Sequence, residues 1–87
     1  MLRNYMEDAI NHLLPSVLED YSDICKCEKC ILDVKAISLN GLKPMYTVTD
    51  DGSVYLKLNE MNNQFRIDII NSIMRAIEIV SKNPRHN

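Results

Sequence analysis

The sequence predicts an all-α fold: a small bundle of about three to five helices that ends on a long C-terminal helix, forms a dimer, and carries an irregular linker around residues 41–52. Three observations predict it. Apolar residues recur at three- and four-residue steps through residues 2–18; neither proline nor glycine interrupts the chain between Gly52 and Pro84; and the apolar positions are too many for the single core of so short a chain. Eighty-seven residues make one domain, 1–87, and a chain of this length buries only about 60% of its unfolded surface. Such domains draw extra stability from a metal, a disulfide or a second subunit.

In the first helix Leu2, Tyr5, Met6, Ala9, Ile10, Leu13, Leu14, Val17 and Leu18 share one side, with Asn4, Asp8, Asn11 and Glu19 opposite. Pro15 falls inside this pattern; it lacks an N–H and crowds the carbonyl four residues back, which predicts a kink or break near residues 12–15. The second helix begins within the cysteine cluster and runs to about Asn40, where Asn40-Gly41 is suited to a left-handed terminus. Its apolar residues divide into Ile31, Val34 and Ile37 on one face and Leu32, Ala36 and Leu39 on the other, the pattern of a helix sandwiched on both sides.

Residues 42–52 change register, with Pro44, a short β-prone run, and Asp51-Gly52, and read as an extended linker. From about Ser53 a long helix follows, jogged near Asn62-Asn63. Its main stripe is Val54, Leu58, Met61, Phe65, Ile69, Ile73, Ala76, Ile77 and Val80. Leu56, Ile67, Ile70 and Met74 lie outside that stripe, leaving Glu60, Gln64, Asp68, Asn71, Arg75, Glu78 and Lys82 as a narrow polar face. So wide an apolar surface predicts a homodimer, the alternative being a compact monomeric bundle.

Composition excludes several functions. Arg3, Glu7 and Asp8 interrupt any N-terminal apolar run and no stretch approaches the roughly 20 apolar residues of a membrane span, so the expectation is a cytoplasmic chain with no membrane partner. A formal charge of −2 with scattered cations, no tryptophan and one phenylalanine offers neither a basic stripe nor stacking platforms, which argues against direct nucleic-acid binding.

All three cysteines fall in "CKCEKC", residues 25–30. Cys27 and Cys30 are spaced to project from one first helical turn, and Cys25 reaches in from the preceding loop, so three thiolates can converge. A helix N-terminus, with Lys26 and Lys29 beside it, lowers a thiol's pKa and favours metal-bound thiolate. Zinc is the metal this pattern predicts, and a structural zinc site needs a fourth ligand. His86, after Pro84 at the end of the long helix, is the first candidate, and His12 near Pro15 the second. Other readings remain open: a C-x-x-C can be a redox pair, although a thioredoxin-type site sits in a β-α-β setting absent here, and cysteine is often a small core hydrophobe. The histidines can equally be plain surface residues. Catalysis is not expected, because three thiolates leave a zinc-bound water poorly activated and Glu28 and Asp33 are the only nearby carboxylates. Asp33 reads as an acceptor for an N–H of a metal-ligating or helix-packing group rather than as a base that activates water.

The run from Cys25 through Cys27, Cys30, Asp33, Ala36, Leu39-Asn40, Leu42, Pro44 and Tyr46 to Thr49 and Gly52, followed by Gln64-Phe65-Arg66, Glu78-Ile79-Val80 and Asn83-Pro84, resembles the late competence development protein ComFB family over nearly the whole chain. The resemblance implies a small all-α, dimeric, zinc-binding protein without catalysis, tied to DNA uptake. It also implies a possible cyclic-dinucleotide ligand, for which some members are receptors. Where relatives read Pro-Pro-Arg-Tyr, this chain has Lys43-Pro44-Met45-Tyr46. The residues that would approach such a ligand are Tyr46, as a flat face for a base, with Lys35, Lys43, Thr49 and Arg66 near its phosphates; a symmetric dinucleotide suits a two-fold axis. The plainer reading makes Tyr46 a packing residue and Thr49, with Asp50 or Asp51, a helix cap. Three functions follow in order: a non-enzymatic, zinc-stabilised dimeric regulatory or adaptor protein; a cyclic-dinucleotide receptor on the same scaffold; and a thiol redox protein.

Overall fold

The computed structural model describes residues 2–48 and 63–82. Within them the chain runs β1 (Arg3–Asn4), α1 (Tyr5–Leu18), α2 (Glu28–Asn40), β2 (Tyr46–Thr47) and α3 (Asn63–Lys82), three helices packed on one another with a minimal sheet at one end.

Asn4 starts α1 and also fixes the segment before β2. Its Oδ1 accepts from the Met6 N–H at 3.1 Å, capping the helix, and from the Met45 N–H at 2.9 Å. Tyr5 N–H donates to the Met45 carbonyl at 2.6 Å, and β1 pairs antiparallel with β2 in the register Arg3 to Thr47 and Asn4 to Tyr46. The part of the expected linker that is described is therefore a tie to the N-terminus. Its partner lies about forty residues away in sequence, so no local pattern could announce it. Arg3 also pairs with Asp8 at 2.5 Å in the first turn of α1, where an acid suits the helix's positive end.

α1 passes through Pro15 unbroken, which corrects the expected break. A proline within a helix costs about 3 kcal/mol. Against that, Leu13, Leu14 and Val17 around it are all buried, each contributing roughly 1.5–3 kcal/mol. Pro15 and Asn11 face outward, so water can reach the carbonyl that the proline leaves without a helical donor.

α2 and α3 run antiparallel, with Cys30 and Val34 level with Ile77 and Val80, and Ser38 level with Ser72. Ser38 is fully buried; its hydroxyl donates to the Val34 carbonyl at 2.7 Å, and its carbonyl accepts from Ser72 Oγ at 2.9 Å. The helix ends at Gly41 as the sequence indicates, but with φ −91° and not in the left-handed region. The glycine suits a close approach: a Cβ there would stand 3.2 Å from Ser72 Oγ, so the serine side chain would have to give by a few tenths of an ångström.

The core is Tyr5, Met6, Ala9, Ile10, Leu13, Leu14 and Val17 of α1, Cys30 and Val34 of α2, and Ile69, Ile73, Ala76, Ile77 and Val80 of α3. The α3 stripe thus lies where its period placed it, and Gln64, Asp68, Asn71, Arg75, Glu78 and Lys82 are exposed. Val54, Leu56, Leu58, Glu60, Met61 and the jog at Asn62 fall outside the described residues. On α2, Leu32 and Ala36 are exposed while Leu39 packs against the core, so its second face is only partly covered within one chain. Ile67, Met74 and Ile79 are likewise exposed.

Candidate metal centre

The turn after α1 closes with Asp20 N–H on the Val17 carbonyl and Tyr21 N–H on that of Leu18, and an irregular segment then leads to α2. Cys27 is the residue that caps α2: its backbone is extended, and its Sγ accepts the N–H of Cys30 at 3.5 Å. Ile31 N–H, at 2.9 Å from the Cys27 carbonyl, completes the first turn. That turn points Cys30 into the core, 1% exposed, while Cys25 and Cys27 stay at the surface. The three sulfurs lie within 4.8 Å of one another, so the cluster could hold a metal ion. Around a tetrahedral zinc with Zn–S bonds of about 2.3 Å, sulfurs stand roughly 3.8 Å apart. Small rotations of the two exposed side chains close that difference, and the donor set, three soft thiols, is one that zinc favours.

Burial pushes the Cys30 thiol up to about 12, helped by hydrogen bonding with Cys25 and Cys27 and by their charge. The sequence had suggested a lowered thiol pKa from the helix end; at Cys30, with no cation present, burial outweighs it. A metal ion must displace that proton, and in doing so it balances negative charge that the core cannot otherwise accommodate.

Lys29 does not reach the sulfurs as a lone cation but pairs with Asp33 at 2.6 Å, one helical turn on. Asp33 thus accepts from an ammonium of its own helix, and not from a metal-ligating or helix-packing N–H as expected. Among the described residues no histidine or carboxylate joins the three thiols, so His12, exposed on α1, lies outside the cluster. His86 lies outside the described residues.

Sequence reasoning missed what stands beside the thiols. A cavity of about 240 Å³ lies between the loop before α2 and the last turn of α3, lined by Asp23, Ile24, Cys25, Cys30, Val34, Ile77, Val80 and Ser81. The only signal for it is the end of the α3 stripe at Val80, and nothing local says that this end meets Cys30.

The residues considered for a nucleotide are dispersed. Lys35 is half-buried on α2, Arg66 is exposed in the first turn of α3, and Thr49 lies outside the described residues. Lys43 lines a polar cleft with Asp68, Asn71, Ser72 and Arg75, a cleft to which Lys35, Tyr46 and Arg66 do not contribute. Tyr46 is 64% exposed, which corrects its reading as a packing residue within one chain.

Comparison with known proteins agrees with this architecture. The family model described as Late competence development protein ComFB matches residues 3–84. Competence protein ComFB of Bacillus subtilis (strain 168) is 27% identical over 84 residues, spanning 97% of this chain and 86% of the relative. A solved structure of the late competence protein ComFB from Bacillus subtilis superposes with a TM-score of 0.78 at 31% identity, covering 98% of this chain and 96% of that one.

Proposed function

We propose that this chain, which belongs to the late competence development protein ComFB family, is a non-enzymatic, zinc-stabilised, homodimeric regulatory or adaptor protein of the cytoplasm that serves competence. One observation carries the reading: three thiols converge where the N-terminus of α2 meets the core, with Cys30 inside it and, among the described residues, no histidine or carboxylate joining them. Zinc at Cys25, Cys27 and Cys30 binds the loop before α2 to α2 itself and supplies rigidity where a small core ends. His86 is the fourth ligand. α3 ends at Lys82 with Val80 and Ser81 already on the cavity beside Cys25 and Cys30, and the four residues from there to His86 reach up to about 14 Å.

Exposed Leu32, Ile67, Met74 and Ile79 support the dimer, since apolar side chains on two helices stand uncovered in one chain. On this reading the chain performs no catalysis, and its function lies in what the dimer binds.

Metal analysis of the wild type beside His86→Ala tests this reading. One zinc per chain in the wild type, a weakened site in the variant, and unfolding on chelation are expected; fully folded, metal-free protein purified under reducing conditions would overturn it. Sedimentation of the same sample reports the dimer. A cyclic dinucleotide that raises the melting temperature when its linear counterpart does not would establish the receptor reading instead.

A further inference from the structure

The three sulfurs are alike in reach and unlike in setting. All lie within 4.8 Å of one another, and Cys30 is hydrogen-bonded to Cys25 and Cys27 alike. Cys30 is buried, while Cys25 and Cys27 stand at the surface. Three convergent sulfurs satisfy an element that takes three soft donors and nothing more. Trivalent arsenic is such an element: it is thiophilic, makes three bonds in a pyramid, and carries a lone pair where a tetrahedral zinc needs its fourth ligand. Charge separates the two further. Zn²⁺ with three thiolates and a neutral histidine leaves one negative charge at the edge of the core, whereas As(III) with three thiolates leaves none, and an uncharged adduct is the less costly beside a buried sulfur. The cavity of about 240 Å³ that opens on Cys25 and Cys30 is walled largely by Ile24, Val34, Ile77 and Val80. An uncharged hydroxide, As(OH)₃, can enter it without stripping an ion of its hydration.

We propose that Cys25, Cys27 and Cys30 form a binding site for trivalent arsenic, which takes all three sulfurs, needs no fourth ligand and displaces the zinc. The displacement rests on the zinc reading above; the three-sulfur adduct rests on the cluster alone. The step balances without a redox reagent. As(OH)₃ condenses with three thiols: three As–S bonds form, three As–O bonds break, and three waters leave carrying the thiol protons, with arsenic trivalent throughout. From the zinc-loaded site the same sulfurs pass to arsenic, the three hydroxides take protons from solvent to leave as water, and Zn²⁺ departs from its fourth ligand. Arsenic then ties the loop before α2 to α2 as zinc does, so the exchange keeps the bundle folded and frees only the fourth ligand.

Titration of the zinc-loaded chain with sodium arsenite tests the proposal. Released zinc is followed with a metallochromic dye, As–S bonding by near-ultraviolet absorption, and folding by circular dichroism. Lys26 and Lys29 separate the cysteines onto tryptic peptides 4–26, 27–29 and 30–35, so alkylation before digestion shows which thiols arsenic covers. The expected result is one arsenic bound and one zinc released per chain, all three peptides protected together, the helical signal kept, and full reversal by a small dithiol with added zinc. His86→Ala is expected to bind arsenic as the wild type does, while Cys25→Ser and Cys27→Ser, both at exposed positions, lose the three-sulfur absorption. Zinc retained in excess arsenite overturns the proposal. So do protection of two peptides only, zinc release with the loss of helix that chelation causes, weaker arsenic binding in His86→Ala, or binding that survives both serine substitutions unchanged. Protein that holds no zinc as purified overturns the metal reading instead, and the same titration, read by absorption and peptide protection, still decides the arsenic site.

Discussion

At its C-terminal end α2 crosses α3 closely enough that a Cβ on Gly41 would stand 3.2 Å from Ser72 Oγ, and the polar groups there satisfy one another: Ser38 Oγ on the Val34 carbonyl, Ser72 Oγ on the Ser38 carbonyl, Gly41 N–H on those of Ile37 and Ser38. At its N-terminal end the same helix meets the other end of α3 across a cavity, beside which three sulfurs converge and Cys25 and Cys27 oppose the ionisation of Cys30. One end is closed by hydrogen bonds that the chain supplies in full. The other offers three thiols that could hold a cation. The difference teaches that a small bundle need not be uniformly packed: an external ion can hold one end once the other is held by backbone.

The sharpest way to break this contrast is to remove the cation. Chelation, or Cys30→Ala, is expected to cost several kcal/mol, a large share of the roughly 5–15 kcal/mol that stabilises a typical domain, with metal content falling to zero. Circular dichroism melts with and without chelator check it; a melting curve unchanged by chelation would mean that the sulfur end closes by packing alone.

The second test attacks the tied end. Asn4→Ala removes the α1 cap and the Met45 bond together, for an expected loss of about 1–2 kcal/mol while zinc content stays unchanged. At about 4–8 °C per kcal/mol the shift is easily measured in a thermal melt. Ser72→Ala, which leaves the buried Ser38 carbonyl without its cross-helix donor, is expected to cost about 1 kcal/mol, again with the metal intact. Zinc loss in either variant would show that the two ends are coupled.

The ends also differ in how far the sequence disclosed them. The α3 stripe from Ile69 to Val80 and the start of α2 within the cysteines are local patterns, readable from period and spacing. The sulfur cluster was legible for the same reason, since its ligands lie within one turn and the loop before it. The tie of Asn4 to Met45, the Gly41–Ser72 approach and the cavity wall at Ile77 and Val80 join residues distant in sequence, and no pattern within either partner encodes the other. Pro15 misled for a related reason: its local cost is visible in the sequence, while the burial of Leu13, Leu14 and Val17 that offsets it is decided by the other two helices.

The last expected effect, small at neutral pH, concerns protons, and its sign separates the two states of the sulfur end. Without metal, the Cys30 thiol is raised from 9.0 to about 12, chiefly by burial. A group whose folded pKa lies above its unfolded value contributes stability that is complete below the lower value and disappears as pH rises through the higher one, so the metal-free chain should weaken from about pH 9 towards pH 12. With zinc the dependence reverses. Binding expels thiol protons, so the loaded protein should gain stability as pH rises through the neutral range and lose its metal first in acid. Denaturant titrations at matched ionic strength, with and without chelator, follow both curves. If they ran parallel, Cys30 would carry no charge in the loaded state, and the sulfur end would be closed by the same uncharged contacts as the glycine end.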